Sequence, residues 1–137
     1  MARERRPRVL VIEDEAPIRE RMVRILNYEG YETRGAESGL AGVSIAHAFR
    51  PDIILCDVMM ADGDGYEALN ILRQHLDTET IPIVFVSAVT ERAAIRQAME
   101  NGADDYLTKP FTTEELVGAI EAQLRKRAAL QRRPDAG

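Results

Sequence analysis

The stretch Ile53-Ile54-Leu55-Cys56-Asp57 decides the fold, because four apolar residues run directly into a single aspartate. A continuous apolar run of this length predicts a β-strand that is buried on both faces of a sheet. Asp57 would then lie where the strand ends, at the carboxyl edge of the sheet. Open α/β sheets bind their ligands at that edge. The stretch therefore predicts a functional aspartate at the end of a central strand.

Three further short runs also end in polar residues. They are residues 9–12, followed by Glu13 and Asp14; residues 82–86, followed by Ser87; and residues 105–108, followed by Lys109. With a more polar strand predicted at 31–34, these runs alternate with five helical patterns. Repeated βα units of this length predict a parallel sheet with right-handed crossovers and helices on both faces. The fold class is therefore α/β, doubly wound, with five strands and five helices.

The predicted helices carry their own start and stop signals. Thr112 and Glu115 form a capping-box pattern before the last helix, and Ser38 and Thr90 are candidate N-caps of the second and fourth helices. Leucines in helical register, ending with Leu76, predict a third helix over residues 66–76.

Length and composition predict one compact domain. The chain has 137 residues and a net charge of -5, which argues against nucleic-acid binding by this chain. Cys56 is the only cysteine, so no disulfide framework forms within the chain. No apolar run reaches the length of a membrane span, and the basic start precedes too short an apolar run for a signal peptide. We expect a cytoplasmic protein with a lead-in at 1–7, a domain at 8–128, and a tail or the start of a linker at 129–137.

The polar residues at the strand ends converge on one edge of the predicted sheet. Three carboxylates clustered there would repel one another unless a cation lay among them, and hard oxygen ligands suit Mg²⁺. Lys109 and Ser87 could each hold an oxygen of a phosphoryl group, and Asp57 could act as a carboxylate nucleophile. The sequence thus predicts a site that accepts a phosphoryl group as an acyl phosphate.

The chain resembles the response-regulator receiver domains of two-component signalling, the CheY-like family, over roughly residues 8–127. The resemblance is carried by the joint order and spacing of residues 9–15, 56–60, 64–65, 86–88 and 102–111. It implies a flavodoxin-like sheet with strand order 2-1-3-4-5. It also implies a phosphorelay switch whose phosphodonor is a sensor histidine kinase or a histidine phosphotransfer protein.

The resemblance assigns roles residue by residue. Asp57 matches the phosphoacceptor. Asp14, Asp57 and the backbone carbonyl of Met59 match the direct ligands of Mg²⁺ (or Mn²⁺), and Glu13 acts through water. Lys109 matches the phosphate-binding lysine, and the Lys109–Pro110 peptide bond is expected to be cis.

Two further matched residues form the family's switch. Ser87 matches the hydroxyl that moves toward the phosphate, and Tyr106 matches the aromatic residue that swings with it. The switch would change the surface formed by the fourth helix, fifth strand and fifth helix, where a partner, an output domain or a second copy binds. A static, half-buried Tyr106 is the alternative for that residue.

Some positions depart from the family pattern. Ala61 and Gly63 replace a usual proline and a larger apolar residue, which predicts a mobile loop. Met59 and Val89 occupy the positions that tune the lifetime of the phosphoryl group, and neither offers a polar group to orient water. We therefore expect slow hydrolysis. Ala119 and Glu121 stand where winged-helix relatives commonly carry interface arginines, which weakens the case for their type of dimer.

Two other functions compete with the switch. A magnesium-dependent phosphatase with an aspartate nucleophile usually has a second aspartate two residues later, where this chain has Met59. A flavodoxin-like cofactor protein needs a glycine- and hydroxyl-rich phosphate loop after the first strand, where this chain has acidic residues. His47 and His75 have no partner at metal-ligand spacing in the sequence and are expected to be surface residues. The phosphorylation switch is the favoured function.

Overall fold

The computed structural model describes residues 5–60 and 65–132, so the predicted mobile loop with Ala61 and Gly63 lies outside the described residues. Within those ranges five strands alternate with five helices. In chain order they are β1 (Arg8–Ile12), α1 (Ala16–Tyr28), β2 (Glu32–Ala36), α2 (Gly39–Phe49), β3 (Ile53–Asp57), α3 (Gly65–Arg73), β4 (Ile83–Ser87), α4 (Arg92–Glu100), β5 (Asp105–Thr108) and α5 (Thr113–Arg132). In this described part, none of the helices is long and apolar enough to span a membrane.

The strands form one parallel sheet in the order β2-β1-β3-β4-β5, which confirms the predicted topology. The register aligns Ile12 with Cys56, the residue before Asp57, so Glu13 and Asp57 emerge side by side. It also pairs Ser87 with Thr108, the residue before Lys109. The sheet therefore delivers the predicted polar residues to one edge.

Apolar side chains alternate between the two faces of the sheet and form a core on each side. Leu10, Ile54 and Phe85 pack on the face covered by α2 and α3. Val9 and Leu55 pack on the opposite face against α1 and α5. Burying both faces is what the continuous apolar runs predict, and it holds the strand ends rigidly in place.

The third helix is shorter than predicted. It ends at Arg73, and Leu76 is 87% exposed, so the prediction that Leu76 lies in the core register was wrong. The hydroxyl of Thr78 donates to the carbonyl of Leu72 at 2.6 Å and satisfies a backbone group at the helix end. Arg73 donates to the carbonyls of Glu79 and Ile81, which holds the following turn against the sheet.

Other boundaries also differ from prediction. The N-cap of α4 is Glu91, without a side-chain bond, so the prediction that Thr90 caps this helix was wrong. The strand predicted at 31–34 lies at Glu32–Ala36, because Tyr31 still donates its N–H to the carbonyl of Leu26 at the end of α1. The capping box of Thr112 and Glu115 is confirmed by both of its hydrogen bonds, and α5 continues to Arg132.

Candidate functional site

Three carboxylates meet at the carboxyl edge of the sheet. Glu13 and Asp14 follow β1, and Asp57 ends β3. Their ligand oxygens lie within 4.8 Å of one another, and among the described residues no other three such groups do so. Glu13 is 1% exposed and Asp57 is 7% exposed. Buried carboxylates at this spacing have the oxygen chemistry that suits a hard divalent cation.

Glu13 is held from both sides. Its Oε1 accepts a hydrogen bond from Nζ of Lys109 at 3.0 Å, and its Oε2 accepts one from the N–H of Glu15 at 3.2 Å. Arg19 donates to the backbone carbonyl of Glu13 at 2.8 Å. Glu13 is therefore a fixed side chain whose two carboxyl oxygens already have protein donors.

Asp57 lies between a backbone donor and the lysine. Its Oδ1 accepts from the N–H of Met59 at 3.1 Å, and its Oδ2 lies 3.5 Å from Nζ of Lys109. Burial and the nearby charge of Glu13 raise the pKa of Asp57 to about 6 from 3.8, although Lys109 and the Met59 bond oppose the shift. The ionised carboxylate is thus under-stabilised in the metal-free protein.

Lys109 supplies the positive charge of the site. Its backbone N–H donates to the carbonyl of Ser87 at 2.8 Å, which joins the end of β5 to the end of β4. The peptide bond between Lys109 and Pro110 is cis. Burial alone would lower the pKa of Lys109, but the hydrogen bond to Glu13 and the charges of Asp57 and Glu13 outweigh burial and raise it. Lys109 is therefore a permanent cation at neutral pH.

Ser87 and Tyr106 are connected through one backbone unit. Ser87 is buried, and its Oγ accepts from the N–H of Val89 at 3.1 Å. The carbonyl of the same Val89 accepts from the hydroxyl of half-buried Tyr106 at 2.8 Å. The backbone of a single residue, Val89, therefore connects the Ser87 and Tyr106 side chains through hydrogen bonds.

The sequence did not reveal how closely α3 approaches the site. A Cβ on Gly65 would lie 2.7 Å from the carbonyl oxygen of Asp57 and 3.2 Å from Sγ of Cys56. The Gly65 N–H also donates to the carbonyl of Val58. Gly65 is part of the predicted motif, and its role in the structure is to let the start of α3 pack closely against the end of β3. Only the register of α3 against β3, which the sequence does not give, identifies that role.

Residues 9–121 match the family model described as the response regulator receiver domain. The chain belongs to the response regulator receiver domain family. These domains are the phosphoacceptor switches of two-component signalling, so the predicted family, fold and function are confirmed, and the phosphatase alternative is not favoured.

Several curated relatives are transcriptional regulators. The chain is 40% identical over 119 residues to the phosphate regulon transcriptional regulatory protein PhoB of Klebsiella pneumoniae, a match that covers 87% of this chain and 52% of PhoB. It is 34% identical over 121 residues to the DNA-binding response regulator MtrA of Mycobacterium leprae, with coverage of 88% and 52%. The chain thus spans about half the length of these relatives.

This chain matches solved receiver structures over nearly their whole length. The Vibrio cholerae chemotaxis protein CheY4 superposes with a TM-score of 0.82 at 27% identity, covering 85% of this chain and 98% of CheY4. The receiver domain of the Francisella response regulator 1452 gives a TM-score of 0.81 at 29% identity, with coverage of 88% and 98%. The described chain therefore corresponds to the receiver unit of such proteins.

Proposed function

We propose that Asp57 accepts a phosphoryl group from the phosphohistidine of a sensor histidine kinase or a histidine phosphotransfer protein. The observation that carries the proposal is the Asp57 carboxylate, held by the N–H of Met59 at a buried strand end beside Lys109. A carboxylate oxygen attacks the phosphorus, the P–N bond breaks, and its electron pair returns to the histidine nitrogen. The product is an acyl phosphate on Asp57.

Glu13, Asp14 and Asp57 form an acidic site whose oxygen ligands suit Mg²⁺, or Mn²⁺ in its place. Asp14, Asp57 and the backbone carbonyl of Met59 would hold the ion directly. Glu13 would act through water, because both of its carboxylate oxygens already accept hydrogen bonds within the protein. The bound ion supplies positive charge to carboxylate and phosphoryl oxygens, which otherwise repel.

Lys109 and Ser87 would bind the phosphoryl oxygens. The Lys109 ammonium group already lies between Glu13 and Asp57, so it can turn toward a new anion without leaving the site. The Ser87 Oγ accepts a hydrogen bond from Val89, which leaves its hydroxyl proton to donate to a phosphoryl oxygen. Both contacts neutralise charge that appears only when phosphate is bound.

The switch would run from Ser87 to Tyr106 through Val89. When Ser87 shifts toward the phosphoryl group, the Val89 backbone moves with it and weakens the 2.8 Å hydrogen bond from the Tyr106 hydroxyl. Tyr106 can then change its position at β5, and the surface formed by α4, β5 and α5 changes with it. α4 is suited to move, because Ala98 is its one fully buried residue.

The changed surface would bind an output partner, a linked output domain or a second copy of the chain. The relatives include regulators named as DNA-binding, of which the matched region covers about half, and we assign no direct DNA contact to this chain. The chain would act as a regulator that assists only its own phosphorylation and dephosphorylation. The cytoplasmic location predicted from the sequence is part of this proposal.

The lifetime of the phosphoryl group would be long. The Met59 side chain is 67% exposed at the mouth of the site and has no hydrogen-bonding group that positions water. Val89 is likewise apolar, and its backbone groups bind Ser87 and Tyr106. Hydrolysis would then rely on unassisted water.

The phosphoacceptor can be located by reductive trapping. The protein is incubated with Mg²⁺ and acetyl phosphate, treated with borohydride, and digested for peptide mass spectrometry. The acyl phosphate of an aspartate is reduced to homoserine, and we expect this product at position 57. Reduction at Asp14, or at neither aspartate while phosphate is incorporated elsewhere, would contradict the assignment.

A further inference from the structure

The fold brings together the two histidines that the sequence left isolated. His47 lies in the last turn of α2, and His75 lies in the connection after α3. Their ring centroids are 5.2 Å apart, and the ring planes are nearly perpendicular at 80°. Both elements end at the amino edge of the sheet, so this pair is separate from the aspartate site at the carboxyl edge.

Each ring has a hydrogen-bond acceptor next to its Nδ1. Nδ1 of His47 lies 2.7 Å from Oδ2 of Asp77, and Nδ1 of His75 lies 2.9 Å from the carbonyl oxygen of Ile71. Both partners are acceptors, so Nδ1 is the donor in each ring, and in the neutral imidazole Nε2 is then the nitrogen with the lone pair. Among the described residues, neither Nε2 has a hydrogen-bond partner. This is the arrangement of metal-binding histidines, whose second ring nitrogen donates to a carboxylate or a carbonyl.

The distance between the ring centroids equals that expected for two imidazole ligands of one tetrahedral ion. With metal–nitrogen bonds of about 2.0–2.1 Å, two imidazoles bound through Nε2 place their ring centroids roughly 5 Å apart. The observed 5.2 Å agrees with that separation. His47 is 35% exposed, so water can complete the coordination. The Asp77 carboxylate lies beside His47 and accepts its Nδ1 hydrogen bond.

We propose that His47 and His75 form a site for Zn²⁺, bound through both Nε2 atoms, with Asp77 as the partner that orients His47. Zinc suits neutral imidazole ligands better than Mg²⁺ does, and the acidic site suits Mg²⁺ better. A zinc ion here cross-links the end of α2 to the connection between α3 and β4. The chain would then carry two cation sites of different chemistry at opposite edges of its sheet.

The test is a zinc titration of the full chain in excess Mg²⁺, which occupies the acidic site. Isothermal calorimetry gives the affinity, and two-bond ¹H–¹⁵N spectra of the imidazoles identify the bound nitrogens. We expect both Nε2 resonances to shift and the affinity to fall at least tenfold in His47→Gln and in His75→Gln. Asp77→Asn should weaken binding by about 10–100-fold, as loss of such a supporting carboxylate typically does.

Glu79→Gln is the matched control, because Glu79 is an exposed carboxylate in the same turn, and its hydrogen bonds among the described residues are made by its backbone. It should leave the affinity unchanged. Thermal melts of each variant without zinc verify that the fold is intact. The proposal is overturned if zinc does not bind in excess Mg²⁺, if the affinity does not depend on one or both histidines, or if Glu79→Gln weakens binding as much as Asp77→Asn.

Discussion

Replacing Asp57 by asparagine should stabilise the metal-free protein at neutral pH. The folded protein raises the pKa of Asp57 to about 6 from 3.8, so folding disfavours its ionised form. At about 1.36 kcal/mol per pKa unit, a shift of this size corresponds to at most about 3 kcal/mol. Asparagine removes the charge and keeps an oxygen that accepts from the N–H of Met59. We therefore expect Asp57→Asn to gain about 1–3 kcal/mol at pH 7–8 without Mg²⁺.

The pH dependence identifies the cause. A carboxyl group with a raised folded-state pKa contributes stability that is fully present below its unfolded value, here 3.8, and that is lost as the pH rises through about 6. The advantage of Asp57→Asn over wild type should therefore be near zero below pH 4, grow between pH 4 and 6, and stay constant above. Mg²⁺ should stabilise wild type more than the variant, because binding to the folded state adds stability.

Urea denaturation of both proteins in EDTA, from pH 4 to 8, measures this difference. Glu100→Gln is the control, since it removes one negative charge from an exposed position on α4 and should show no such profile. An Asp57→Asn variant that is no more stable than wild type at pH 8, or whose advantage does not depend on pH, would show that folding does not disfavour the ionised form of Asp57.

Three further predictions concern packing, charge and lifetime. Gly65→Ala should destabilise the protein by about 1–3 kcal/mol in urea denaturation, because the added Cβ would lie 2.7 Å from the Asp57 carbonyl. Gly118→Ala has open space at its Cβ and should be neutral or stabilising; equal losses would contradict the packing argument. Lys109→Met should lower the free energy of unfolding by about 1–3 kcal/mol at pH 7 and slow phosphorylation by acetyl phosphate. Unchanged stability and rate would show that Lys109 has no role in the site. Phosphate on Asp57 should persist well beyond seconds, and Met59→Asn should shorten its lifetime. The rate of phosphate release measures both lifetimes, and loss of phosphate within seconds in wild type would contradict the expected slow hydrolysis.

The sheet and the clustered site were predictable because both follow from strand ends. Continuous apolar runs such as residues 53–56 identify buried parallel strands, and parallel strands place the residues that follow them at one edge. The proximity of Asp57 and Lys109 could therefore be predicted without knowing where any helix lies. The topology comes from the resemblance, since the runs alone do not determine strand order.

The misplaced boundaries have local tertiary causes. Leu76 fits the helical period, but the Thr78 hydroxyl and the Arg73 guanidinium end α3 before it through contacts that form only in the folded chain. Thr90 lies next to Val89, whose backbone is engaged by Ser87 and Tyr106. Such hydrogen bonds between side chains and backbone outweigh the intrinsic helix and capping preferences of the sequence.

The pairing of His47 with His75 was not predictable either. The two residues are separated in the chain by a strand and a helix and share no motif spacing. They meet because α2 and α3 pack side by side on one face of the sheet. Sites formed by packing between helices depend on side-chain placement, which hydrophobic periodicity does not specify.

The role of Asp57 as phosphoacceptor is tested most directly by the intact mass of the chain after incubation with acetyl phosphate, measured for wild type and Asp57→Asn, each with Mg²⁺ and with EDTA. We expect one added phosphoryl group in wild type with Mg²⁺, little in EDTA, and none in Asp57→Asn. Addition of the same group to Asp57→Asn, or no addition to wild type in Mg²⁺, would contradict the claim that Asp57 is the phosphoacceptor.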